Sequence, residues 1–591
     1  MNPPAAVLGV EASVSGRRWV WREGDQRIGL AISQRLEVPE VVGRLLVARG
    51  IGLDAAQDFL DPTLRALLPD PSVLVDMDSA AQRLVHAVRT GEQVAVFGDY
   101  DVDGACSGAL MVRALRMLGC EVTHYVPDRL KEGYGPNAGA IRELLARGAT
   151  LIVCVDCGVA AHEALAVAEG EADVVVLDHH KAEGTVPPVR AVVNPNRLDC
   201  TSGLKHLCAA GVAFLAMVAT HRLLRRQGWF QTRSEPKLIE LLDIVALATV
   251  CDVMPLTGVN RALVAQGLKV MARRGHAGVA ALLDVGLVRE APSAHSLGFV
   301  LGPRINAAGR IDEPDLGMRL LLCDDPVEAR EMAERLDVVN KRRQEVEADV
   351  LGTAFEMAEA QAAAGMPVLM VAGEGWHPGV VGIVAGRIKE KFNRPACVAG
   401  LAAGFGKGSG RSVAGQDLGA AVIAARQMGL LVSGGGHAMA AGFGFAVGKQ
   451  QAFHDFLNER LALAGGPAGA ADLVVEGSVT VPAATCDLAR QVERLAPFGS
   501  GNEEPVFALP RCRVVRADRV GKEGATVRAY LEGEAGGRLK AICFRAKEGP
   551  LAEALLSGDR MPLHLAGQLR AERWNDDVSA CFHVVDAARV V

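Results

Sequence analysis

A chain of 591 residues, half of them apolar and 22% charged, is long enough for about three to four domains and apolar enough to give each a core. The net charge of −6 excludes a global attraction to nucleic acid, so any polyanion-binding surface must be a local patch. No stretch approaches ~18 uninterrupted apolar residues and no basic flank leads into an apolar leader core, so a soluble cytoplasmic protein is expected.

The 13 cysteines are scattered, many in apolar runs, which reads as buried thiols in a reducing compartment. The one Cys-x-x-Cys, Cys154 to Cys157, has no second pair at zinc-site spacing and reads as core.

Residues 1–90 carry short amphipathic helices, at 39–48 and 80–89, with turn signals at Asp61-Pro62 and around Pro69 and Pro71. No catalytic pattern appears there, and an N-terminal helical appendage is expected. From 91 to 324 apolar runs at 94–97, 121–126, 151–155 and 174–177 are short enough to be buried parallel strands. Helical segments at 105–118, 138–147 and 160–169 alternate with them, so a doubly wound α/β domain is expected.

The first of these runs leads into GDYDVDG (98–104), with carboxylates at alternate positions: Asp99, Asp101 and Asp103. Like charges so close repel unless a cation sits among them, and oxygen ligands at short spacing suit Mg²⁺ or Mn²⁺. An Asp-rich polar turn explains the loop equally well taken alone. Three later elements also end in acids. Asp156 closes one apolar run, Asp178 closes another and is followed by His179 and His180, and Asp252 follows the apolar segment 244–250. Four separate elements, each ending in a possible ligand, favour a metal centre over a turn.

The motifs GDYDVDG, CVDCG, LDHH and TVCDVMPL, in this order, resemble the four motifs of the DHH phosphoesterase superfamily. VPDRLKEGYG (126–135), CAAGVAF (208–214) and GPRINAAGR (302–310) narrow the resemblance to its RecJ branch, the single-strand-specific 5′→3′ DNA exonucleases of bacteria. The resemblance runs from about residue 40 to the C-terminus. It departs at Cys208-Ala209-Ala210, where Cys-Gly-Ala is the family pattern, which leaves a turn conformation there open.

What the resemblance implies is a two-metal exonuclease acting in DNA recombination and repair, using Mn²⁺ or Mg²⁺. Asp101, Asp103, Asp156, His179 and Asp252 are the implied direct ligands, with Asp156 a candidate bridge. Asp99 and Asp178 are further metal-ligand candidates in supporting positions, and His180 joins the catalytic set as a group facing the substrate. Implied partners are single-stranded DNA, a single-strand-binding protein and a helicase, with the enzyme a monomer and no membrane involved.

Residues 325–365 read as one connecting helix, with Asp325 as N-cap, Pro326 in the first turn and Gly365 with Pro367 as the stop. Residues 366–465 read as a second α/β domain with two glycine-rich stretches. The first, 404–412, reads as a loop able to cradle phosphate through backbone N–H groups, Lys407, Ser409 and Arg411. Gly408 after Lys407 excludes a Walker A loop. The second, 434–442, places His437 beside three glycines at an expected helix start. Both resemble the DHH-associated domain. That resemblance implies that Arg129, Ser409 and Arg411 grip a 5′-terminal phosphate, with Arg304, Arg310, His437, Gly435 and Gly436 as further substrate contacts.

Residues 470–591 alternate apolar and polar over five short runs, which suits an OB-fold barrel. Arg511, Arg513, Arg516, Arg528, Lys540, Arg545, Arg570 and Arg573 interleave with Tyr530, Phe544 and Trp574, a pattern for tracking a single strand by charge and stacking. Solvated charges around packed aromatics are the competing explanation.

Overall fold

The computed structural model describes residues 5–129, 131–182, 184–462, 472–557, 561–574 and 577–590. Two compact units divide the chain: 51–341 with 495–504, and 1–50 with 342–494 and 505–591. Residues 1–90 are therefore split at Gly50 rather than held together as one appendage.

In the first unit, apolar runs buried on both faces form strands β1 (Gln93–Gly98), β3 (Leu151–Val155) and β4 (Asp173–Leu177), and the more polar, partly exposed Glu121–Tyr125 forms β2. A three-residue strand β5 (Ala191–Val193) completes a parallel sheet of order β2-β1-β3-β4-β5. The order reverses between β1 and β3, and ligands of open α/β sheets bind at the carboxyl ends of strands at such a switch point. Helix α1 (Val102–Met117) follows β1 and is buried along nearly its whole length. It packs with α2 (Ala209–Arg226) and α3 (Leu242–Cys251) in the main core on one side of the sheet. Cys154 and Cys157 are buried thiols in the core on the other side, as their strand context predicts. The unit also holds α4 (Gly302–Ile311).

Helix α5 (Pro326–Ala363) runs 38 residues, about 57 Å at 1.5 Å per residue, and continues from one unit into the other. Asp325 caps it, accepting from the N–H groups of Val327 and Glu328 at 2.8 and 3.0 Å, and Gly365 ends it at φ 78°.

The second unit contains a mixed sheet of β6 (Leu369–Glu374), β7 (Ala396–Ala402), β8 (Phe405–Arg411), β9 (Ser433–His437) and β10 (Ala440–Ala446), in the order β9-β10-β8-β7-β6. Both glycine-rich stretches, expected as a phosphate-cradling loop and a helix start, are strands. The physical reason lies in the rings of β10. A Cβ at Gly406 would lie 2.3 Å from the Phe445 ring, and one at Gly408 2.3 Å from the Phe443 ring. The glycines thus make room for aromatic packing across the strands. The β8 backbone is engaged on both sides, in ladders with β7 and β10, so it is not a set of free donors.

The C-terminal part closes into a five-stranded barrel of β11 (Phe507–Val520), β12 (Thr526–Gly533), β13 (Gly536–Cys543), β14 (Leu563–Trp574) and β15 (Asp577–Arg589). Pairing runs β11-β12-β13-β15-β14 and returns from β14 to β11, so no edge is left open. Strand β11 bends at a bulge near Arg511, which lets it serve both neighbours. Val7, Val10 and Trp19 pack on this part of the chain. Trp19–Trp21 pairs in parallel with Leu473–Val475, and the Trp19 indole N–H donates to Asp586 at 3.0 Å.

Candidate metal centre

The loop after β1 places its three acids differently. Asp101 caps α1 by accepting from the Gly104 N–H at 3.0 Å. Asp103 sits in the first turn of α1, buried, and accepts from the N–H groups of Ala209 and Ala210 at 2.6 and 2.9 Å. Those N–H groups belong to the first turn of α2, where a helix leaves its donors unsatisfied and favours negative charge. The Ala at 209 is no obstacle: Cys208 is an extended N-cap and Ala209 begins the helix. Asp99 is also buried. A Cβ at Gly104 would lie 2.4 Å from the Asp99 carbonyl oxygen, so only glycine allows the loop to fold this tightly.

Asp156 follows β3 in the left-handed region, φ 59°, a conformation that costs a non-glycine residue about 1 kcal/mol or more. Its N–H donates to the Leu177 carbonyl at 3.1 Å, and its carbonyl accepts from the Tyr134 hydroxyl at 3.1 Å. His179 brings the elements together. Its Nε2 lies 3.3 Å from Asp156 Oδ1, 3.5 Å from Asp252 Oδ2 and 3.7 Å from Asp103 Oδ2. Donor atoms converge within 4.8 Å in three overlapping sets: Asp103, His179 and Asp252; Asp99, Asp101 and Asp156; Asp156, His179 and His180. Asp156 and His179 each belong to two sets.

Asp178 departs from the ligand reading. Its carboxylate is fully buried and already saturated, accepting from the N–H groups of Val159, His179 and His180 at 3.0, 2.7 and 3.0 Å and pairing with His180 Nδ1 at 2.8 Å. It orients the two histidines instead. Asp99 moves the other way, with an oxygen in the converging set of Asp101 and Asp156.

Burial raises Asp156 well above the usual carboxylate range, and the charges of Asp103, Asp101 and Asp99 raise it further. Asp99 is raised by burial and by Asp101, and Asp103 by burial foremost. Asp252 is pushed up to about 8 by burial and by Asp103 and Asp101. Asp178 is the opposite case: burial works against ionisation, but hydrogen bonding and charge from His180 hold it below the ordinary value. Asp99 Oδ1, Asp156 Oδ1 and Asp252 Oδ2 are buried and make no hydrogen bond among the described residues. Orphaned carboxylate oxygens in a cluster of mutually repelling acids fit divalent cations, and a donor set of mostly oxygen with one or two imidazoles fits Mn²⁺ or Mg²⁺.

The substrate candidates fall into two groups. In the first unit, Arg129 lies 5.2 Å from the centre of the Tyr100 ring, beside the acid loop, and Arg310 lies near the same tyrosine. Arg304 is engaged with Asp337, at 2.8 Å, and with the Val300 carbonyl at 2.6 Å. In the second unit, Arg411 Nη1 donates to Ser409 Oγ at 2.9 Å. A Cβ at Gly382 would lie 3.1 Å from Ser409 Oγ and 3.3 Å from Arg411 Nη2, so this pair sits over the first turn of α6 (Val381–Phe392). Gly435, Gly436 and His437 lie on β9, with His437 exposed. In the barrel, Arg511, Arg528 and Lys540 pair with Glu534, Asp518 and Glu572, whereas Arg513, Arg545 and Phe544 are exposed. The side chains of Arg573 and Trp574 lie outside the described residues.

Three contributors escape a reading by charge. Asn194 Nδ2 donates to the His180 carbonyl at 2.8 Å and Asn196 Nδ2 to the His179 carbonyl at 2.6 Å, bracing the histidine pair. The Tyr134 hydroxyl lies 3.1 Å from His180 Nδ1. The Asn-Pro-Asn run after β5 is the signal that marks the first two.

Three family models match along the chain: DHH family, N-terminal domain, over 93–249; DHHA1 domain, over 365–463; and RecJ OB domain, over 475–586. The single-stranded-DNA-specific exonucleases RecJ of Dickeya dadantii and Escherichia coli are each 40% identical, over 80% of this chain and 83% of theirs. That of Bacillus subtilis is 33% identical over 97% of this chain and 71% of its own. The crystal structure of RecJ in complex with Mn²⁺ from Thermus thermophilus superposes with a TM-score of 0.80 at 30% identity, covering 96% of this chain and 79% of that one. By sequence and by fold, this chain belongs to the RecJ family of single-stranded-DNA-specific exonucleases.

Proposed function

We propose that this chain is a metal-dependent exonuclease that hydrolyses single-stranded DNA stepwise from the 5′ end to 5′-mononucleotides, in DNA recombination and repair. The observation that carries this reading is the set of orphaned, converging carboxylates at the β1/β3 switch point. Asp99, Asp101, Asp103, Asp156, His179 and Asp252 are assigned to hold two divalent ions, Mn²⁺ or Mg²⁺, and when bound these supply charge neutralisation and activation of water near neutral pH. Asp178, Asn194, Asn196 and Tyr134 fix the histidines. His180, oriented by Asp178, is assigned to donate an N–H to the phosphate under attack. In the first unit Arg129, with Arg304 and Arg310 as further contacts, and in the second unit Ser409 and Arg411, with His437, Gly435 and Gly436 as further contacts, are assigned to phosphate groups of the strand.

The working division is a catalytic domain at 91–324, a connecting helix at 325–365, a DHH-associated substrate domain at 366–465 and a single-strand-binding barrel from 470. Exposed Arg513, Arg545 and Phe544 suit backbone charge and base stacking. A monomer working in the cytoplasm beside a single-strand-binding protein and a helicase completes the reading. No helix among the described residues is long and apolar enough to cross a membrane.

The test compares one oligonucleotide as single strand and as blunt duplex, with Mn²⁺ and with EDTA. Mononucleotides released from the single strand in Mn²⁺ alone are expected. Equal attack on the blunt duplex, or activity that survives EDTA, contradicts the proposal.

A further inference from the structure

Far along the chain from the acid cluster, three different metal-ligating side chains meet on the wall of the barrel. Cys581 and His583 are two residues apart on β15 and so project from one face of that strand. On the antiparallel neighbour β14, Glu572 stands opposite Ser579, one step diagonally from Cys581, and all three share that face. The Glu572 oxygen, the Cys581 sulfur and a His583 ring nitrogen lie within 4.8 Å of one another. His583 Nε2 is 2.6 Å from Glu572 Oε1. The other carboxylate oxygen, Oε2, accepts from Lys540 Nζ at 3.1 Å, from the β13 position paired with Cys581. Cys581 is fully buried, His583 nearly so, and the Phe544 ring packs edge-on against the imidazole at 5.2 Å.

We propose that Glu572, Cys581 and His583 form a three-ligand zinc site that ties β14 to β15. One thiolate, one imidazole and one carboxylate suit borderline-soft Zn²⁺ and not the hard ions assigned to the acid cluster. A carboxylate that binds through Oε1 while Oε2 is held by Lys540 has the outer hydrogen bond that orients metal ligands. Without metal the fully buried Cys581 keeps the proton of an ordinary thiol. Binding Zn²⁺ forms the S–Zn bond and releases that proton to solvent. A fourth ligand position is left for water.

The test uses the full chain, stripped with EDTA and titrated with Co²⁺ alone, then with Zn²⁺. The acid cluster supplies only oxygen and nitrogen to cobalt, so a near-ultraviolet sulfur-to-cobalt charge-transfer band reports on a thiolate site. The expected result is one equivalent of that band in the unmodified chain, its displacement by Zn²⁺, its loss in Cys581→Ser, and affinity at least about tenfold weaker in Glu572→Gln. Absence of the band in the unmodified chain, or its persistence in Cys581→Ser, overturns the proposal. If Cys581→Ser does not fold by circular dichroism, Glu572→Gln decides alone, and unchanged cobalt affinity there overturns it equally.

Discussion

Asp178 Oδ1 lies 2.8 Å from His180 Nδ1 and also accepts two backbone N–H groups, so the acid at the end of β4 is saturated where the acid at the end of β3 is not. One carboxylate builds the site and the other waits for a cation. Opposite consequences for stability follow from that difference.

Replacing Asp178 with Ala leaves the N–H groups of Val159, His179 and His180 without their acceptor in a buried place. Each such loss costs about 1–3 kcal/mol, so urea denaturation should show a lower midpoint. Nuclease activity should fall about 10–100-fold as the histidines lose their orientation, the range found for groups behind a metal ligand.

Asp156→Asn should separate stability from activity. Burial and four neighbouring acids penalise this carboxylate, and Asn accepts its left-handed backbone. In EDTA the variant should melt at least about 2 °C above the unmodified chain, while activity in Mn²⁺ drops at least about 100-fold. Thermal melts with and without EDTA, beside nuclease assays in Mn²⁺, check both halves.

Gly309→Ala probes the acid loop from behind. A Cβ at this position in α4 would lie 2.4 Å from the Tyr100 carbonyl oxygen, and Tyr100 stands between Asp99 and Asp101. Displacing that loop should lower kcat about tenfold or more, with circular dichroism unchanged.

The pH dependence of stability should carry a term from Glu92. Burial opposes its ionisation, but hydrogen bonds from Arg83, at 2.6 Å, and Thr150 hold it below its ordinary 4.5. A depressed carboxylate stabilises the fold fully above the unfolded value and loses that contribution as pH falls through the folded one. Glu92→Gln should therefore cost about 1–2 kcal/mol at pH 7, and the gap between the two chains should narrow steadily below about pH 4.5. Denaturant midpoints from about pH 3 to about pH 8 measure it.

The parallel sheet was legible in the sequence because its central strands are continuous apolar runs, and the acids were legible because each follows an apolar segment. The glycine-rich strands were misread because glycine signals a loop to any local rule. What makes β8 a strand is the pair of rings on β10, Phe443 and Phe445, more than thirty residues further on. Strand β5, three residues long, carries too little pattern to announce itself, and with it went Asn194 and Asn196. Asp178 could not be told from a ligand by residue type. Its saturation depends on N–H groups that only the folded β4 end brings together.

The most direct measurement of the central claim labels one single strand at the 5′ end and another at the 3′ end, and follows release in Mn²⁺ beside Asp156→Asn. The 5′ label should leave first, as a mononucleotide, while the 3′-labelled strand shortens progressively, and the variant should release neither. First release of the 3′ label, or full activity in Asp156→Asn, would contradict the account.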